Sequence, residues 1–206
     1  MSVRKIVKYG SEVLRKKSKE ISKVSKKIQV LAEDMIDTMY ANYGVGLAAP
    51  QVGELLRMFV IDVSDPKEPR NPIVFINPKI IKKDGAVACN EGCLSFPDVY
   101  TYVRRYKNVT VKALDIKGKP FIMEGKNGEL LARAIQHEFD HLNGVLFVDH
   151  SRNRFDADKV LAEKGLPPVQ ADYLLEEPEL EEIISKENSV INDEPTTGPI
   201  RQTSMR

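Results

Sequence analysis

The chain carries Gln136-His137-Glu138-Phe139-Asp140-His141, two histidines four residues apart with a glutamate directly after the first. At ~100° per residue, positions i and i+4 of a helix lie about 40° apart and share a face. Two imidazoles so placed can hold one metal ion from the same side. Glu138 is rotated away from that line, an awkward ligand but within reach of a water on the metal. A metal lowers the pKa of such a water towards ~7, and a neighbouring carboxylate can take and return its proton. Two of the three histidines of the chain stand in this pattern. Leu130, Ala134, His137 and His141 recur at steps of four, three and four, so the histidines are expected to look into the protein. Buried imidazoles need polar partners, which favours a metal over a solvated face.

The 206 residues allow one full domain and a short addition. No apolar run reaches the ~18 residues of a membrane span, and the charged N-terminus lacks a secretory h-region. Cys89 and Cys93 make no disulfide framework, so a reducing, cytoplasmic setting is expected. Residues 1–170 carry 28 basic and 21 acidic side chains, net +7, whereas residues 171–194 carry nine acidic ones against Lys186. This imbalance is too weak to argue nucleic-acid binding. The expected organisation is a catalytic domain over 1–165 and an acidic, partly disordered C-terminal extension over 166–206.

Ile28, Leu31, Ala32, Met35, Ile36, Met39, Tyr40 and Tyr43 form one apolar stripe, predicting a core helix from Ser25 to Gly44. Gly44-Val45-Gly46-Leu47-Ala48-Ala49-Pro50-Gln51 reads as a loop whose backbone approaches something closely. Strands are predicted at 58–63, 73–81, 109–116 and 121–124, the last two as a hairpin through Lys117-Gly118-Lys119-Pro120. The histidine helix is expected over 129–142, stopped by Asn143-Gly144. Further helices are expected at 155–164 and 173–186.

A catalytic metal commonly keeps three protein ligands and one open position. Phe147 stands where an extended histidine motif would place its third histidine, and His150 comes three residues too late. Glu163 is a candidate third ligand in a zinc-peptidase arrangement. Cys93, in Glu91-Gly92-Cys93-Leu94-Ser95-Phe96-Pro97, is the better one, because a thiolate beside a dication adds negative charge and softness. If Cys89 joined it, the four ligands would close a structural, non-catalytic site.

Three stretches, Gly44–Gln51, Glu91–Ser95 and Gln136–His141, in this order and spacing, resemble bacterial peptide deformylase over roughly residues 3–150. Phe96-Pro97 is similar to its type 1 members. The resemblance implies an α+β fold with antiparallel sheets around the helix bearing the two histidines. It implies hydrolytic removal of formate from the N-formylmethionine of nascent polypeptides, with a metal-held water as attacking group. By the same resemblance Cys93, His137 and His141 hold the metal, Fe²⁺ natively, with Zn²⁺, Ni²⁺ or Co²⁺ as replacements. Glu138 is implied as general acid/base, and Gln51 with the Leu94 N–H as donors to the oxyanion. Gly46 and Glu91 are implied along the substrate channel, with Ala134 and Ile135 expected at the methionine slot. Formylmethionyl nascent peptides are the implied partners, with the ribosome as a candidate. Tyr100 and Tyr102 stand where many type 1 members carry a peptide-anchoring basic residue, a task open to Arg104, Arg105 or Arg133.

Overall fold

A computed structural model describes residues 2–151 and 153–170. The expected helix at 173–186 and most of the 166–206 extension lie outside the described residues.

Helix α1 (Lys26–Ala41) forms where the apolar stripe predicts it, burying Ile28, Leu31, Ala32, Met35 and Met39. Tyr43 ends this segment in the left-handed region at φ 57°. The expected loop that follows is instead a short strand, β1 (Gly46–Ala48), and a 3-10 turn (Ala49–Val52). Small residues left that reading open, and pairing with a neighbour decides it: Gly46, Leu47 and Ala48 register with Ile61, Val60 and Phe59 of β2 (Met58–Ile61).

β3 (Ile73–Cys93) and β4 (Phe96–Leu114) form one long antiparallel hairpin, extending well beyond the predicted strands. Lys82, Lys83 and Asp84 hide β3 from a hydrophobicity search, because its middle is exposed and needs no apolar pattern. Register shifts at Ile76/Lys79, Ile80/Lys82 and Gly92/Cys93 bend the ladder, as bulges do. β5 (Pro120–Gly125) completes a five-stranded antiparallel sheet in chain order.

Helix α2 (Leu130–His141) packs on this sheet. At Gly125 a Cβ would stand 2.5 Å from the Ala132 Cα, so only glycine admits the helix there. One face of α2 buries Ala132, Ile135 and Leu142 with Phe59, Phe75 and Val111. Gly144, at φ 73°, then turns the chain under the Arg15 carbonyl.

The N-terminal segment crosses the body as a strap. Its backbone bonds reach Gln51, Ser95, Leu142 and Leu55 in turn, and Arg15 forks onto Asp149. Helix α3 (Arg154–Glu163) closes the far side. Beyond it Leu166 and Val169 pack into the cluster around Phe96 and Phe147, and the Tyr9 hydroxyl donates to the Pro168 carbonyl at 2.9 Å. Among the described residues no helix is long and apolar enough to cross a membrane.

Candidate metal centre

Two elements converge on one point. The end of β3 delivers Cys93, and α2 delivers His137 and His141. Their ligand atoms all lie within 4.8 Å of one another, the sole such group that includes these residues among the described ones. Cys93 Sγ stands 3.3 Å from His141 Nε2. Tetrahedral bond lengths around one zinc-like ion put sulfur and nitrogen about 3.5 Å apart, so the observed separation suits a shared cation. His137 Nδ1 faces Glu91 Oε2 at 3.0 Å, which leaves Nε2 to face the site. Burial lowers the His141 pKa well below the usual imidazole range, favouring the neutral form that binds a metal. Sulfur, two imidazoles and a buried, unpartnered Glu138 Oε2 together fit a divalent ion.

Cys89 is not in this group. Its thiol faces Glu91 Oε1 and the Val103 carbonyl, and burial pushes it up to about 11. Glu163 is exposed at the end of α3 and is likewise absent from the group.

Glu138 lines a cleft of about 480 Å³ together with Cys93 and His137, and His141 is buried beneath it. Gly46 lies directly against it, since a Cβ there would stand 2.5 Å from Glu138 Oε1. Burial pushes the Glu138 pKa up to about 7, and a cation beside it would pull the other way. Gln51 is almost wholly buried. Its Oε1 accepts from the Ala48 N–H at 2.8 Å, which fixes the amide with Nε2 towards Cys93 Sγ (3.3 Å) and Ser95 Oγ (3.2 Å). Leu94 lines the same cleft, as do Ala134 and Leu130. Leu130 sits at the mouth, 41% exposed, rather than in the core face that its spacing suggested. Ile135 does not line the cleft: it is fully buried behind α2 with Phe59 and Phe75, because adjacent helical residues point ~100° apart. Glu91 borders the cleft, but its carboxylate is turned to His137 and Arg105.

A buried ionic chain backs the ligands and had no signal in sequence spacing. Arg105 clamps Glu91 with Nε and Nη2 (2.9 and 2.8 Å) and reaches Asp140, which also meets His150. Burial opposes the charge on Glu91, but the Arg105 guanidinium overrides it and holds the carboxylate well below its usual range. Of the three arginines considered as peptide anchors, Arg105 is thus committed inside, and Arg133 lines the cleft.

An α+β body with one cysteine sulfur and two imidazoles brought together beside a cleft and a buried glutamate has the make-up of a metallohydrolase. The family model described as polypeptide deformylase matches residues 3–156. Peptide deformylase 1 of Clostridium perfringens is 49% identical over 150 residues, 73% of this chain and 99% of that one. The crystal structure of a peptide deformylase from Legionella pneumophila is 46% identical with a TM-score of 0.72, covering 80% of this chain and 96% of that one. A peptide deformylase from Synechococcus elongatus, solved in complex with actinonin, is 42% identical with the same TM-score, covering 80% and 90%. The chain belongs to the polypeptide deformylase family.

Proposed function

We infer that the chain removes the formyl group from the N-terminal formylmethionine of newly made polypeptides, releasing formate. The observation that carries this is the convergence of Cys93, His137 and His141 beneath a cleft that also presents Glu138, in a chain of this family.

The resemblance to the family and the geometry of the site together support the following residue roles. Cys93, His137 and His141 would hold one divalent cation, which supplies a Lewis acid at the reacting centre. Glu138 takes the proton of the attacking water and returns it to the leaving amine, a task suited to a carboxylate near neutrality. As the formyl oxygen becomes negative, the Leu94 N–H and one Gln51 Nε2–H donate to it. The Gln51 bond to Ser95 Oγ anchors the amide, and the N–H now towards Cys93 Sγ shifts to the substrate. Gly46 and Ala134 border the slot for the methionine side chain, where any larger residue at 46 would collide with Glu138. Arg133, which lines the cleft, is the arginine proposed to meet the peptide.

Fe²⁺ is the proposed native ion, with Zn²⁺, Ni²⁺ and Co²⁺ as competent replacements of the same donor set. The cytoplasm is the proposed setting, where thiolate ligands stay reduced, with the ribosome as a docking partner for access to nascent chains.

The test is formate release from a formylmethionyl peptide, with the acetylated peptide as control and Glu138→Gln alongside. Wild type should release formate only from the formyl peptide. Glu138→Gln should keep its metal and lose turnover by ~10²–10⁴-fold. A metal-free Glu138→Gln protein would make Glu138 a ligand and overturn this assignment, and release of acetate at a similar rate would overturn the substrate.

A further inference from the structure

Leu94 and Ser95 form the two-residue turn between β3 and β4, with Cys93 paired to Phe96 across it. Neither has the positive φ that tight hairpin turns of this length favour. The peptide groups within such a turn have no ladder partners, so their hydrogen bonds must come from elsewhere and can brace the turn. Here the bracing comes from three consecutive residues of the N-terminal strap. The Val7 N–H donates to the Gln51 carbonyl at 2.8 Å, and the Tyr9 N–H to the Ser95 carbonyl at 2.9 Å. Between them Lys8 Nζ donates to the Leu94 carbonyl at 2.8 Å, and Lys8 lines the cleft. The Tyr9 ring stacks on Phe96 with centroids 4.3 Å apart, which fixes the strap against the first residue of β4.

We propose that Lys8 is a positioning residue for the reaction: its ammonium holds the Leu94 carbonyl, the peptide group next to the one that carries the Leu94 N–H, and so braces the turn from which that N–H is directed. This rests on the reading of Gln51 and Leu94 as the oxyanion donors. The strap ties the backbone of both donor residues to one short segment, so the spacing between them is braced by residues outside the metal ligands. The bonds from Val7 and Tyr9 come from backbone and survive substitution. Lys8 supplies the only side-chain link of the three, and it is exposed, so its replacement leaves the core intact.

The loss should fall on turnover rather than binding, because a donor aimed at the oxyanion acts in the transition state. The experiment compares Lys8→Met, Lys8→Arg and Gln51→Ala by kcat and KM for formate release, with metal content and Tm measured on each. Lys8→Met should lower kcat roughly tenfold, less than the roughly hundredfold expected for removing a donor outright. Its KM should stay within about twofold and its metal content and Tm should not change, while Lys8→Arg restores the rate by keeping a donor at that carbonyl. Unchanged kcat in Lys8→Met beside a slowed Gln51→Ala would overturn the role of Lys8. A rise in KM with constant kcat would make Lys8 a peptide contact, and loss of metal would make it structural; both also overturn the proposal. Wild-type kcat in Gln51→Ala would remove the oxyanion reading itself, and the proposal with it.

Discussion

Cys89 and Cys93 stand four residues apart near the end of one strand, and their surroundings give them opposite chemistry. The Cys89 thiol is pushed up to about 11 by burial, with the Glu91 carboxylate adding to the effect, so it stays protonated and unreactive. Cys93 faces His141 Nε2 and the Gln51 amide, a setting in which a cation would take the thiolate outright. Cys93→Ala should therefore lose metal and activity together, and Cys89→Ala should keep both. Metal analysis of the purified variants decides it: full occupancy in Cys93→Ala would end the assignment of that ligand. Serine at 93 is a poorer test, because a hydroxyl can still coordinate. The sequence distinguished these two cysteines through the glycine and proline around Cys93 and through the family resemblance of Glu91–Ser95. The structural reason, that one side chain turns to Glu91 and the other to α2, is a consequence of the register shift at Gly92/Cys93, which no local pattern encodes.

At the level of elements, α2 is useful because its position on the sheet is set by a close contact. Gly125 of β5 sets that position, meeting the Ala132 backbone where no side chain fits. Gly125→Ala forces helix and strand apart, and overpacking of this kind costs typically 1–3 kcal/mol. The same shift moves His137 and His141 relative to Cys93, so metal affinity should fall with stability. Chemical unfolding and a chelator-competition titration would show both; a variant that loses stability but holds its metal as tightly as wild type would uncouple the helix position from the site. Helices α1 and α2 were readable because their apolar stripes repeat at steps of three and four. The central hairpin was not, because the middle of β3 is solvent-exposed and charged, and what extends it is cross-strand pairing, for example Lys83 with Val109 and Ala86 with Tyr106. The Glu91–Arg105–Asp140–His150 chain was equally hidden, since its members come from β3, β4, α2 and the 3-10 turn after α2.

Across the whole molecule, the two ends of the described chain meet behind the cysteine turn. Tyr9 bonds Ser95 through its N–H and Pro168 through its hydroxyl, so the segment after α3 braces the same strap that holds the Leu94–Ser95 turn. Val169 is 5% exposed, and its N–H donates to Asp158 Oδ1 at 2.7 Å while its carbonyl accepts from Arg154. These contacts separate two truncations that differ by five residues. Ending the chain after Gly165 removes Leu166 and Val169 from the cluster around Phe96 and Phe147. Withdrawing side chains of this size from a core costs about 2–3 kcal/mol, which for a domain of this length lowers Tm by roughly 5–10 °C. Ending it after Gln170 keeps every one of those contacts and removes only the acidic stretch, so Tm and kcat on small peptides should match the full chain. Thermal unfolding and formate release on the two shortened proteins test this together. Equal melting temperatures for both would show that 166–170 adds nothing to the body, and a fall in kcat for the longer one would give the acidic stretch a part in catalysis.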